Sequence, residues 1–311
     1  GPLGYASAPK HRTNDIIKIR AQDETARRWQ LWANGFGGRR TVDADSSTGA
    51  FASNQNTAGG AGGVIYRVDP DFAIGAAVGA SESRFSVSDL ATSGDLTGAH
   101  FGLHAAKRWG ALYATGAIAY AHYTNDTTRT ITGVGPTETA TGSFGSDQLT
   151  GRLELGWRHE LGASAVTPFA AVQYSRLWQQ GYSETSVTST GAPGILGLTY
   201  ESQATTSVPV SLGVTMESSF RISNGMLFSP FARVAWVHEL QPDRQVTPSF
   251  NVAPGFTFTS TGVSAASDLA RVNLGASLSV TPQASVFAAV SGEFASNVQS
   301  YGVTGGFRVG W

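Results

Sequence analysis

Six histidines, at positions 11, 100, 104, 122, 159 and 238, are the first side chains to weigh for metal binding or proton transfer. His100 and His104 share one face of an extended segment, and at the usual rise they stand about 14 Å apart, too far to hold one ion. His238 and Glu239 are sequence neighbours, which a strand throws to opposite faces, so they cannot share a proton. No Gly-x-Ser-x-Gly elbow, no glycine-rich loop ending in Gly-Lys-Ser/Thr and no His-Glu-x-x-His is found. The chain has no cysteine, which excludes thiolate catalysis, Cys-ligated zinc and disulfides. The expectation is no catalytic residue, no cofactor and no metal. Charged residues do recur in register, as in Arg152, Glu154, Arg158 and Glu160, and at even spacing on a strand they predict ion pairs on one face.

The elements that position these residues alternate with a period of two. Leu149, Leu153, Leu155, Trp157 and Leu161 oppose Arg152, Glu154, Arg158 and Glu160. Val272, Leu274, Leu278 and Val280 oppose Arg271, Asn273, Ser277 and Ser279, and Val208, Val210, Leu212, Val214 and Met216 oppose Ser207, Ser211, Thr215 and Glu217. Strands are predicted at about 29–40, 57–68, 71–87, 95–109, 111–124, 146–161, 164–182, 200–221, 226–240, 268–280, 283–296 and 299–311. Tight turns such as Asp69-Pro70, Arg108-Trp109-Gly110 and Gly162-Ala163 alternate with long loops at 41–56, 124–145, 183–199 and 241–267. Short turns on one rim, long loops on the other and an even strand number describe a transmembrane barrel. A soluble sandwich would instead keep its apolar face in and its charge out. After Val78 the apolar phase shifts to Phe85 and Val87, read as a bulge or as the strand leaving the membrane. Tyr113, Tyr120, Tyr123, Trp109, Trp157, Trp178, Trp236 and Tyr301 fall near strand ends and suggest interfacial girdles.

Composition agrees. The charged fraction is 14 %, against about 25 % in soluble domains. No run of eighteen apolar residues exists, so a helical span is excluded while a β-barrel span is not. A net charge of −1 offers no long-range field for nucleic acid, and none is expected as a partner.

The last strand, Tyr301 to Trp311, has an apolar, aromatic odd face and carries Arg308 on the other. A barrel removes the exposed edge that such a terminus would present, and Arg308 then faces inward, since arginine on the lipid face costs roughly 2–4 kcal/mol at the midplane. The interior should likewise receive Arg152, Glu154, Arg158, Glu160, Glu217, Arg233, Glu239, Arg271 and Glu293. At the other end, Gly1-Pro2-Leu3-Gly4 resembles the scar of a removed affinity tag and is set apart. Residues 5–28 differ in character from the rest, with no glycine and many charges. A short helix is predicted over about 15–28, capped by Thr13 or Asn14, with Arg27 and Arg28 in its last turn.

Several stretches carry a family resemblance: Tyr120-Ala-His-Tyr123 with Thr127-Thr-Arg129, Pro230-Phe-Ala-Arg-Val-Ala-Trp-Val-His-Glu239, Pro254-Gly-Phe-Thr-Phe258 with Gly262 and Asp268, and the terminal strand. Together they resemble the translocator (β) domains of type V autotransporters, over residues 29–311. The resemblance implies an all-β, twelve-stranded antiparallel transmembrane barrel in the bacterial outer membrane, which supports export of its own N-terminal passenger. It also implies a short α-helix in the pore, here contributing Lys18, Arg20, Arg27 and Arg28. Thr304, Gly306, Val309 and Trp311 look like the signal read by the barrel-assembly machinery. Some relatives cleave themselves at an Asn-Asn pair; this chain has only Asn14-Asp15. The expected partners are the lipid bilayer, the assembly machinery and the passenger, with the barrel a monomer. A general-diffusion porin and an outer-membrane hydrolase are the alternatives. A twelve-stranded barrel leaves a bore of roughly 12 Å inside its side chains, wide enough for one helix of about 10–12 Å. The helix cations would then meet Glu154, Glu160, Glu217 and Glu239.

Overall fold

The computed structural model describes residues 27–44, 51–222, 225–241, 245–246, 248–257, 260–261 and 266–311. Twelve antiparallel strands make up the wall: β1 Trp29–Val42, β2 Ser53–Asp69, β3 Phe72–Val87, β4 Thr92–Trp109, β5 Leu112–Ile131 and β6 Glu138–Trp157, followed by β7 Ser164–Gln179, β8 Pro209–Ser218, β9 Leu227–Glu239, β10 Asp268–Ser279, β11 Ala284–Phe294 and β12 Val298–Gly310. Each pairs with its sequence neighbour, and β12 pairs with β1 in unbroken register from Gln30↔Gly310 to Val42↔Val298. The main chains of Trp29 and Trp311 complete the seam by exchanging hydrogen bonds of 3.1 and 3.0 Å. Closure leaves no edge of the twelve-stranded wall unpaired, which a lipid environment demands.

Large apolar side chains lie outside: Leu153 is 64 % exposed and Val78 63 %. The fold therefore has almost no conventional core, because its apolar face is meant for lipid. Tight turns close the rim that carries both ends of the barrel. Gly110 (φ 63°) and Gly162 (φ 67°) supply the left-handed backbone these turns need. This rim is the periplasmic one.

At the other rim β5 and β6 continue as a paired hairpin up to Ile131↔Glu138. The loop predicted over 124–145 is thus mostly ladder, its threonines being as good for an exposed strand as for a loop. Thr185–Thr188 adds to the top of β6, and Leu198–Tyr200 pairs with Pro248–Phe250, joining the two longest loops. Glu138 fixes this cap by accepting from Ser186 Oγ at 2.6 Å and from the N–H of Leu196 at 2.9 Å. Tyr182 stacks on Phe144 and Tyr200 there, and burial pushes its phenol up.

β3 pairs without a register break from Phe72 to Val87 along β4, so its phase shift is no bulge. The strand leaves the lipid: Glu82 and Arg84 point outward with Asp95, and Arg84 Nε donates to it at 2.9 Å. Trp29, Trp109, Trp157, Trp178, Trp236, Tyr120 and Tyr301 are all exposed. Tyr113 and Tyr123 are corrections to the girdle, because both face inward, with hydroxyls donating to Glu154 (2.9 Å) and Gln148 (3.2 Å). A glycine on the next strand makes room for each ring; a Cβ on Gly156 would lie 2.6 Å from Cζ of Tyr113.

Candidate functional site

The inward phase of the strands encloses a cavity of about 1990 Å³, lined from Pro282 and Gly162 at the periplasmic turns to Arg40 and Ser300 near the outer rim. Its most constrained group is Glu154 on β6, 4 % exposed. The carboxylate accepts two hydrogen bonds from Arg233 on β9, one at 2.9 Å from Arg152 Nη2 and one from Tyr113. Arg233 also lies 3.6 Å over the ring of Phe169 on β7. A planar guanidinium held by a bidentate carboxylate and an aromatic face has little freedom left.

Two further clusters line the wall. Arg158 pairs with Glu217 and stands 3.8 Å from Glu160. Glu293 accepts from Arg271 Nε at 2.8 Å and stands 3.7 Å from Arg40. Arg308 lies 4.6 Å over Phe287. Glu239 sits apart: it faces inward but belongs to the outer mouth, where it accepts from Ser207 Oγ and from the N–H of Val208 at 2.7 Å. All four carboxylates expected to await helix cations, Glu154, Glu160, Glu217 and Glu239, thus already have partners within the barrel.

Lys18 and Arg20 lie outside the described residues, as does most of the predicted helix. Its last two residues differ from the expectation: Arg27 and Arg28 are not helical. Arg27 donates to the carbonyl of Pro282 and the carbonyl of Arg28 accepts from the N–H of Arg67, so the chain is already extended into the ladder when it reaches β1. Both line the cavity mouth. In the terminal strand Thr304 Oγ1 donates to the carbonyl of Gly35 at 3.2 Å, and Gly306 packs under Phe287. Trp311 is 60 % exposed.

One hydroxyl–imidazole pair not legible in the sequence, Ser81 Oγ and His100 Nε2, stands 2.8 Å apart on neighbouring inward faces. The imidazole packs edge-on against Tyr123, and among the described residues no carboxylate bonds its other nitrogen. A nucleophile would need that third group to orient its base. Two other histidines do hold carboxylates, His122 with Asp147 and His238 with Asp268, but on the outward face, where Tyr120 and Trp236 complete them. Among the described residues no group of three potential ligands could hold a metal.

A sequence profile described as autotransporter beta-domain matches residues 31–291. The chain belongs to this family. Its barrel is similar to the translocator domain of the autotransporter NalP from Neisseria meningitidis, with a TM-score of 0.69 at 14 % identity over 94 % of each chain. The beta domain of the Bordetella autotransporter BrkA is similar too, with a TM-score of 0.63 at 19 % identity over 91 % of this chain and 100 % of that one. In sequence the chain is 27 % identical over 284 residues to a protein named Esterase EstA from Pseudomonas aeruginosa; the match covers 85 % of this chain and 42 % of that protein. The chain therefore spans less than half of that relative. The closed barrel is an autotransporter β-domain of the bacterial outer membrane, in a translocator role.

Proposed function

We propose that this β-domain anchors and exports a passenger that precedes it in the chain, and that the barrel itself does no chemistry. The observation that carries this reading is the point of entry: Arg27 and Arg28 lead into β1 at the periplasmic mouth while lining the cavity, so upstream chain begins where a translocated segment must be threaded. In this reading residues 5–28 form the linker, with Lys18, Arg20, Arg27 and Arg28 as its cations. One relative is named an esterase; ester hydrolysis, where the full protein has it, is assigned to residues outside the barrel. The incomplete Ser81–His100 pair supports that assignment.

Delivery to the membrane is assigned to the barrel-assembly machinery, reading Thr304, Gly306, Val309 and Trp311. A closed wall with its own seam needs no second copy, so the barrel is taken as a monomer. The test is a reporter fused upstream of Tyr5 and expressed in a Gram-negative host. Protease removal of the reporter from intact cells is the expected result; a folded barrel whose reporter stays protected inside would sink the reading.

A further inference from the structure

Eleven arginines and four glutamates line the cavity, with no aspartate or lysine among them. The whole chain nonetheless carries a formal charge of −1, so charge is unevenly distributed: arginines line the cavity, while most carboxylates lie elsewhere, at the turns, in the cap, in the loops or on the outer face. Setting aside Arg27, Arg28, Arg39 and Arg221 at the mouths, seven arginines still face four glutamates. The pairing shows where the excess sits. Arg152 and Arg233 share Glu154, and Arg40 and Arg271 share Glu293, which leaves one uncompensated positive charge in each cluster. Arg158, placed between Glu217 and Glu160, leaves one negative charge. Among the described residues neither Arg67 nor Arg308 has a carboxylate partner. Residues 5–26 cannot reverse the sign wherever they lie, since Lys10, Arg12, Lys18 and Arg20 outnumber Asp15, Asp23 and Glu24.

We propose that the lumen is an anion-selective pore, admitting small inorganic anions such as chloride in preference to cations of similar size. The proposal rests on the reading of the barrel as an outer-membrane pore. A channel lined by one sign of charge and walled by low dielectric focuses its field on the axis, and arginine-lined pores favour anions. The Debye length is about 10 Å in 0.1 M salt, comparable with the width of the bore, and about 3 Å at 1 M. Selectivity should accordingly be pronounced in dilute salt and fade in molar salt.

Planar bilayers of zwitterionic lipid with unequal KCl on the two sides read the selectivity directly. The full chain, and a form beginning at Arg28, should reverse on the chloride side at low salt, with the potential collapsing toward zero as both solutions approach 1 M. Arg67→Glu with Arg308→Glu should move the reversal toward potassium. Arg67→Gln with Arg308→Gln should move it in the same direction by a smaller step, and it covers the case in which the charge-reversed protein does not fold. A reversal at zero or on the potassium side for the native chain in dilute salt would overturn the proposal. So would folded barrels of both lengths that pass no current. Either result leaves the export reading standing, because surface display of the reporter tests that separately.

Discussion

Arg233 and Glu154 meet through two parallel hydrogen bonds of 3.1 and 2.6 Å although two whole strands, β7 and β8, stand between them in the wall. The pair ties non-neighbouring strands across the curve of the barrel, a kind of link that backbone ladders cannot supply. Removing Glu154 leaves Arg152 and Arg233 facing each other, whereas removing Arg233 leaves Glu154 still held by Arg152 and Tyr113. Breaking a buried pair costs about 3–5 kcal/mol, and lumenal water should bring the effect toward the lower end. Glu154→Ala is expected to destabilise clearly more than Arg233→Ala in urea unfolding from lipid vesicles followed by tryptophan fluorescence. Equal, small losses would mean that water screens the cluster.

Gly156 and Tyr113 are coupled to the same carboxylate. A methyl group at 156 would displace the Tyr113 ring and with it the hydrogen bond to Glu154. Gly156→Ala should destabilise by about 1–3 kcal/mol, the usual range for overpacking. In a Tyr113→Leu background most of that loss should vanish. A double-mutant cycle with no coupling would place the strain elsewhere.

Trp311 closes the seam through its main chain and presents its ring to the membrane side. Trp311→Asp keeps the backbone pair but puts a charge where the proposed assembly signal has an aromatic, so surface levels should fall sharply and periplasmic degradation rise. Quantitative surface labelling of whole cells measures this. Normal surface levels would remove Trp311 from the proposed signal.

Whether the linker occupies the bore, as the resemblance implies, can be tested by length alone. With Glu154, Glu217 and Glu239 already partnered in the barrel and Glu160 only sharing Arg158 at 3.8 Å, the linker cations meet no more than one uncompensated carboxylate among these four, and exposed pairs are worth only about 0–1 kcal/mol. A plug should therefore be held weakly and be displaceable. A protein beginning at Arg28 should conduct markedly more than the full chain in planar bilayers; equal conductance would put residues 5–27 outside the bore.

What the sequence settled is what a strand can express within itself. Alternation in Leu149 to Leu161 and in Arg271 to Val280 marks two faces, Gly110 and Gly162 mark the tight turns, and counting the alternating segments reaches twelve strands that the closed wall contains. Once one residue is anchored, the period of two carries the phase along the rest of its strand. Tertiary structure decided everything that depends on strands being staggered and curved against one another. Tyr113 and Tyr123 look like girdle residues by position, yet they share the phase opposite outward Tyr120, and only the register shows that a glycine on the neighbouring strand leaves each ring its space. The threonine-rich 124–145 reads as a loop because its composition fits both states, and only pairing between β5 and β6 chose the strand. Arg233 and Glu154 are far apart in sequence, and closure of the barrel is what brings them together. The net charge of −1 is a sum over both faces. Which arginines share the lumen is a property of the closed wall, since only closure separates an inside from an outside.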